Sequence, residues 1–396
     1  MKKVVLAFSG GLDTSYCAIY LAKDLGYEVH SVAVNTGGFD ADEVDGLATK
    51  AKELGIEHHT CLDVEQRFYN DGIRYLLYGN VLKNHSYPLS VSAERVFQAM
   101  AIVQHAKSIG ADAIAHGSTG AGNDQVRFDL VFQIMAPDME IITPIRDLKL
   151  SREQEVEYLK KHGIHKSWEK AKYSINKGLW GTSVGGAETL SSHLALPEFA
   201  WPTPMSKNES HRIELEFKEG EPIGLNGQKM SPVQLIKALN ELAAPYGIGR
   251  DHHVGDTIIG IKGRVGFEAA APVVLIQAHR VLEKHTLAKW QLYWKDQMGE
   301  WYGMMMHEGQ YLDPVMRDIE AFLSSTQKRV TGSVYIRLNP GYFEVLGIES
   351  KYDLMQSPAG QYGEMNEGWT GEDVKGFTKI MSNATHIFKS MEKDHD

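Results

Sequence analysis

Seven residues near the amino end, Ser9-Gly10-Gly11-Leu12-Asp13-Thr14-Ser15, combine the residue types that hold a phosphate. The two glycines let backbone approach a ligand closely, and the hydroxyls of Ser9, Thr14 and Ser15 add donors where a helix would begin. A Walker-type Gly-Lys-Ser/Thr ending is missing, and so are the three spaced glycines of a dinucleotide fingerprint. Asp13 puts a negative charge beside the anion, which Mg²⁺ between them would accommodate. The plainer alternative is a tight strand-to-helix turn capped by Asp13 or Thr14. A second dense segment runs His116-Gly117-Ser118-Thr119-Gly120-Ala121-Gly122-Asn123-Asp124-Gln125-Val126-Arg127-Phe128. Asp124 and Arg127 lie three apart and share one face if helical. Together they suit a zwitterion, the carboxylate for an ammonium and the guanidinium for a carboxylate. Taken alone, that pair reads more plainly as a local ion pair at a helix start.

The elements that would position these segments alternate. Residues 3–8 are an apolar run of the kind a buried parallel strand gives, and Tyr16, Ile19, Tyr20 and Leu21 recur at helical spacing up to Gly26. Strands are predicted over 28–34, 57–62, 111–115 and 141–144, with helices over 42–54, 64–78 and 92–109 between them. This pattern predicts an α/β, doubly wound parallel sheet, with ligands outside the carboxyl ends of the strands and both glycine-rich segments on that edge. Ser151 and Gln154 form a capping box that opens a helix to His162, closing a nucleotide-binding domain over residues 1–165. From about Trp168 glycine-rich turns and spaced prolines take over. A strand over 212–217, a helix from Ser231-Pro232 to Ala244, a long helical stretch over 273–306 and a hairpin around Asn339-Pro340-Gly341 predict a second, α+β synthetase domain over 166–360. A tail over 361–396 carries Val374, Phe377, Ile380, Met381, Ile387, Phe388 and Met391 on one side of a helix. That face either packs on its own domain or reaches a neighbouring subunit, and the second reading is preferred.

A length of 396 residues suggests two domains, and 43% hydrophobic with 23% charged residues describes an ordinary soluble globular chain. A net charge of −10 argues against a broad nucleic-acid footprint, and no apolar run matches the roughly 20 residues of a membrane span. Cys17 and Cys61 cannot alone build a disulfide framework or a zinc site, so both read as reduced core residues in a cytoplasmic chain. No residue is assigned as a resident metal ligand.

Residues 7–15 resemble the PP-loop of ATP pyrophosphatases, which cut ATP between its α and β phosphates. With residues 116–128 added, the resemblance extends over nearly the whole chain to the argininosuccinate synthase family. It implies an ATP-dependent ligase joining citrulline and aspartate through a citrullyl-adenylate, with AMP and pyrophosphate released and ATP and Mg²⁺ required. By position, Ala7, Phe8, Ser9, Gly10, Gly11, Leu12, Asp13, Thr14 and Ser15 would bind ATP, with Val34 and Gly117 at the adenosine end. Tyr87, Ser92, Ser174 and Ser183 would contact citrulline; Thr119, Asn123 and Asp124 would bind aspartate, with Asn123 and Arg127 also facing citrulline. The resemblance puts Asp13 and Asp124 nearest the chemistry and implies a homotetramer assembled through the tail. Val34 stands where alanine is frequent, Val91 replaces a threonine, and Val96 replaces the proline after Arg95. Gly255 and Phe267 occupy the places of a glutamate and a tyrosine near citrulline, with Asp256 next door. Losing a partner for the citrulline ammonium usually costs about 1–3 kcal/mol, so an N-acylated citrulline is a candidate acceptor. The rival readings are a tRNA-modifying PP-loop enzyme, which needs a basic surface, and a non-catalytic nucleotide-binding module, which has no use for residues 119–127.

Overall fold

The computed structural model describes residues 1–166, 168, 172–360, 362–363 and 367–393. The stretch predicted to join the first two domains, and the one predicted to precede the tail, both include residues outside this set. The amino-terminal part is a parallel sheet of β1 (Lys3–Ala7), β2 (Glu28–Asn35), β3 (His58–Asp63), β4 (Ala113–Ala115) and β5 (Glu140–Ile142). Their spatial order is β3-β2-β1-β4-β5, so the chain steps outward from β1 on one side and then returns to lay β4 on the other. Side chains alternate between faces along β1. Val4 and Leu6 pack with the helices Leu12–Lys23 and Ala41–Glu53, while Val5 joins the opposite core with Val32, Val34 and the helices Glu94–Ser108 and Asp124–Met135. Both faces are therefore covered, as the apolar strands require.

The expected helix over 64–78 is broken. Its middle, Tyr69–Ile73, is a π turn between the α segments Glu65–Phe68 and Arg74–Tyr78. Gly72 rests there against the Phe97 ring, where an added Cβ would stand 2.7 Å away. Pro144 opens a short helix instead of closing β5, because proline suits a first helical turn and cannot donate to a sheet. The capping box of Ser151 and Gln154 forms as predicted and opens Arg152–Lys161.

The rest of the chain builds two antiparallel sheets. β6 (Ser174–Gly178) and β7 (Gly181–Gly185) join β11 (Arg250–Asp256) and β12 (Lys262–Glu268) in the order β11-β12-β7-β6. β8 (His211–Lys218), β9 (Glu221–Leu225), β10 (Gln228–Lys229), β13 (Gly332–Asn339) and β14 (Tyr342–Glu349) form the other, in the order β10-β9-β8-β13-β14. The long helical stretch is two helices, Ala270–Thr286 and Lys289–His307, parted at Leu287-Ala288. The tail likewise divides at Ser382 into Gly371–Met381 and Asn383–Lys393, and its apolar side is bare, with Phe377 63% and Ile380 74% exposed. Among the described residues, no helix is long and apolar enough to cross a membrane.

A fully buried polar cluster joins the two halves. Glu283 accepts from Lys295 Nζ at 2.6 Å, from Gln327 Nε2 at 3.0 Å and from Asn80 Nδ2 at 2.5 Å, with His279 bonded to both Asn80 and Gln327. Burial alone would raise the Glu283 carboxyl, but His279 and Lys295 hold it below the usual range. Lys295→Met removes the lysine from this carboxylate, and leaving a buried charge uncompensated costs about 3–5 kcal/mol. A urea titration of the variant is expected to show that loss as a lowered midpoint; an unchanged midpoint removes the pair from the stability account.

Candidate functional site

The first loop leaves β1 and enters the Leu12–Lys23 helix, whose N-cap is Gly11 in extended conformation with no side-chain cap. Neither Asp13 nor Thr14 caps it, so the plain capped-turn reading is not what the chain adopts. The first-turn amides lack intrahelical partners and point where an anion would lie. Gly10 has φ +69°, a left-handed geometry that glycine adopts without strain. Ser15 Oγ donates to Gly11 O at 2.8 Å and Thr14 Oγ1 to the same oxygen at 3.3 Å. Thr14 and Ser15 thus hold the loop's shape, while Ser9 stays exposed. Phe8, Leu12 and Val34 bury their side chains, leaving only their backbone for a ligand at this edge, and Ala7 is half-buried at the end of β1.

The second loop leaves β4, which lies directly beside β1. Gly117 packs on the first loop so closely that an added Cβ would stand 3.2 Å from both Asp13 C and Thr14 N. His116 braces the turn behind it. The Ser118 amide donates to its Nδ1 at 3.2 Å, so the ring proton sits on Nε2, which meets Asp129 Oδ1 at 2.9 Å. Arg146 Nη1 donates to the other Asp129 oxygen at 2.6 Å. Thr119 is exposed at the tip.

Asp124 begins the Asp124–Met135 helix, and its local ion pair with Arg127 does form, at 3.0 Å. It is one link of a longer chain. Arg95 Nε donates to the second Asp124 oxygen at 3.1 Å, Arg95 Nη1 to Glu94 Oε1 at 2.7 Å, and Arg95 Nη2 to Asn176 Oδ1 at 3.3 Å. Arg127 also donates from Nε and Nη2 to the His307 carbonyl, at 2.9 and 2.8 Å, so part of its donor fork is already engaged. Burial would raise the Asp124 carboxyl, but the two guanidiniums hold it below the ordinary range. Glu94 is different. Burial outweighs Arg95 and the Thr36 hydroxyl, and its carboxyl is pushed up to about 7.

The remaining expected contacts come from the connecting segment and the antiparallel part. Tyr87 is buried between His253, stacked at 4.8 Å, and Phe267, tilted at 5.2 Å. Ser92 is buried, and among the described residues its Oγ finds no hydrogen-bond partner. Ser183 on β7 is the register partner of Phe267 on one side and Asn176 on the other. Ser174, paired with Gly185 and two residues from Asn176, lies on the same sheet face as Ser183 but is exposed. The turn of the β11–β12 hairpin closes the ring, because the Ile258 amide donates to Asn123 Oδ1 at 2.8 Å.

Residues 3–165 match the profile of the argininosuccinate synthase N-terminal HUP domain, and residues 173–388 that of the argininosuccinate synthase C-terminal domain. The chain is 42% identical to an argininosuccinate synthase of Methanocaldococcus jannaschii over 88% of its own length and 89% of the relative's. It is 37% identical to one from Dictyoglomus thermophilum, covering 98% and 97%, and 35% identical to one from Xanthomonas campestris, covering 99% of both. The chain belongs to the argininosuccinate synthase family.

Gly255 and Phe267, expected near citrulline, lie on β11 and β12. Phe267 is 1% exposed and lies against Tyr87, so its ring fills space without offering a hydroxyl. Asp256, considered as a replacement for the missing glutamate, is bonded to Lys262 Nζ at 2.7 Å on the exposed hairpin. Four residues near the loops escaped the motif reading. Lys50 lies over Gly10, with Cδ 2.8 Å and Nζ 3.5 Å from where a Cβ would be. Glu155 faces Asp13, and burial, followed by that negative charge, raises its carboxyl to about 8. Glu94 and Asn176 complete the ion chain. None stands in a glycine-rich segment; only the missing lysine of the first loop hinted that a cation would come from elsewhere.

Glu94 yields a pH test. Its folded pKa of about 7 exceeds the unfolded value, so its contribution to stability is fully present below the unfolded pKa and is lost as pH rises through 7. Glu94→Gln keeps the hydrogen-bonding shape and removes the titration. Between pH 5 and 8 the wild-type chain should lose about 2–4 kcal/mol relative to the variant in chemical denaturation. Parallel pH profiles for the two proteins would refute the assignment.

Proposed function

We propose that this chain is an ATP-dependent ligase that condenses citrulline with aspartate to give argininosuccinate, AMP and pyrophosphate, in arginine biosynthesis. The observation that carries the reading is the contact of the two loops at Gly117 and Asp13–Thr14, with Asn123, Asp124 and Arg127 opening the next helix. The relatives named above bear that enzyme's name, and family membership supports ATP as co-substrate. The rival readings lack support: a net charge of −10 does not suit tRNA, and a bare nucleotide module has no use for the Asp124–Arg127 chain.

In the proposed sequence, the ureido oxygen of citrulline attacks the α-phosphate of ATP, and the bond to the β-phosphate breaks to release pyrophosphate. The aspartate amine then attacks the ureido carbon of the citrullyl-adenylate and loses its proton as AMP leaves. The work left to the protein is positioning and charge neutralisation. First-turn amides and the Lys50 ammonium would face the leaving pyrophosphate. Ionised Asp124 would accept the aspartate ammonium, with Thr119 and Asn123 beside it, while Tyr87, Ser92, Ser174, Ser183 and the free edge of Arg127 would hold citrulline. Asp13 and Ser9 are hard oxygen donors of the kind Mg²⁺ prefers, so the site fits that ion, with Asp13 as its holder. Mg²⁺, when bound, neutralises phosphate charge.

The acceptor end supports a narrower proposal. With Gly255 and Phe267 at two places that would otherwise offer a carboxylate and a phenol, an N-acylated citrulline is a candidate acceptor beside citrulline itself. The tail's bare apolar face supports a homotetramer, and the composition supports a cytoplasmic setting.

An AMP-formation assay tests the reading: product should require ATP, aspartate and a citrulline together, and AMP formed without aspartate or citrulline would reject it. Asp13→Ala is expected to abolish citrulline-dependent ATP–pyrophosphate exchange, and normal exchange would remove Asp13 from the mechanism. For an N-acylated acceptor, kcat/KM on N-acetyl- or N-succinylcitrulline should exceed that on citrulline by about 10–100-fold, the equivalent of one lost ammonium partner. A strong preference for free citrulline rejects it.

A further inference from the structure

On the sheet edge opposite the two loops, three potential metal ligands converge. β2 and β3 are parallel neighbours in which His30 and His58 are register partners, and Glu28 lies two residues before His30 on the same face. The imidazoles are stacked, with ring centres 4.4 Å apart and planes inclined by 8°. Both turn Nε2 toward one atom, Glu28 Oε1, at 2.8 Å from His30 and 3.6 Å from His58. All three ligand atoms lie within 4.8 Å of one another. Tetrahedral Zn²⁺ with bonds of about 2.1 Å keeps its ligand atoms about 3.4 Å apart, close to the present spacing, and seating the ion requires the two rings to turn out of their parallel stack so that both lone pairs meet it.

We propose that Glu28, His30 and His58 form a binding site for a divalent transition metal of the zinc class, separate from the ligase site. Imidazole nitrogen with one carboxylate is a borderline donor set that suits Zn²⁺ and disfavours Mg²⁺ and Ca²⁺. Two features prearrange it. The Glu28 amide is bonded to Lys2 O at 2.8 Å, fixing the start of β2, and the His30 side chain is only 12% exposed. The Glu28 carboxylate and the His58 ring remain open to water, which gives the ion an entry path and its remaining coordination positions. The titratable groups facing the cluster are Lys3, which approaches Glu28, and His105, which approaches His30 and which burial keeps toward its neutral form. Lys3 is diverted to the Ile109 carbonyl, at 3.4 Å. Ligation requires both Nε2 atoms unprotonated, so binding weakens in acid. A bound ion would tie the edge strand β3 to β2 and raise thermal stability in proportion to its occupancy.

The test uses the full chain without a histidine tag and Zn²⁺ alone as probe, by competition with a chelating dye at neutral pH. The wild-type chain should hold one ion at this site and gain thermal stability on adding it. His58→Ala, at an exposed ring, should lower affinity by more than the roughly 10–100-fold that even an outer-shell partner costs, and should lose the Zn²⁺-dependent thermal shift. Glu28→Gln should weaken binding as well, while His211→Ala, an exposed histidine elsewhere, should leave both readouts at wild-type level. Wild-type affinity and thermal shift in both His58→Ala and Glu28→Gln, or no binding to the wild-type chain at micromolar Zn²⁺, would overturn the site.

Discussion

The site depends on one close approach of backbone to backbone. β1 and β4 are adjacent parallel strands, so the turns that leave their carboxyl ends must share a narrow space. They can do so because position 117 has no side chain; its missing Cβ would crowd the carbonyl carbon of Asp13 and the amide of Thr14. That approach sets the first helical turn, with its unpaired amides, beside the start of the Asp124–Met135 helix. In the proposed reaction, a nucleotide on one turn and an amino acid on the other would be neighbours because the sheet sets the two turns side by side.

Around that contact the charges alternate. Glu94, Arg95, Asp124 and Arg127 form a chain of opposite neighbours, and the chain leaves the first sheet through Asn176 on β6 and through the His307 carbonyl. In a low-dielectric setting each group sharpens the orientation of the next. Electrostatic order and domain arrangement are therefore connected here: Arg95 is held by Glu94, Gln98 and Asp124 on its own side and reaches β6 through Asn176. The Glu283–Lys295 cluster plays a quieter part. It fixes Asn80, and hence the segment leading to Tyr87 and Ser92, against the helices of the second half.

Much of this could be read from residue order. The apolar run before Ser9 and the βαβ alternation announced a parallel sheet, and local cap chemistry at Ser151 and Ser231 marked helices that begin where expected. What failed was continuity. The segment over 64–78 has helical periodicity throughout, yet a π turn interrupts it where Gly72 rests against Phe97, and periodicity carries no information about that neighbour. The glycine-rich loops were legible as a site because their composition is local. Lys50, Glu155 and Asn176 were not, since each reaches the loops from a separate element and looks like an ordinary surface or strand residue in its own segment. The hydroxyls of Thr14 and Ser15 misled in a milder way: their types suggested donors for a ligand, and the folded loop spends them on Gly11.

One bond has a thermodynamic consequence. The Asn123 carboxamide gives its oxygen to the Ile258 amide and keeps its nitrogen for whatever occupies the second loop. A ligand bonded to that nitrogen would share this one side chain with the hairpin. Seating the hairpin and filling the loop are linked equilibria, and linkage is symmetrical: the factor by which the seated hairpin tightens the ligand is the factor by which the ligand seats the hairpin. That amide plane is one of several links between the two halves, beside the Arg95–Asn176 and Arg127–His307 bonds.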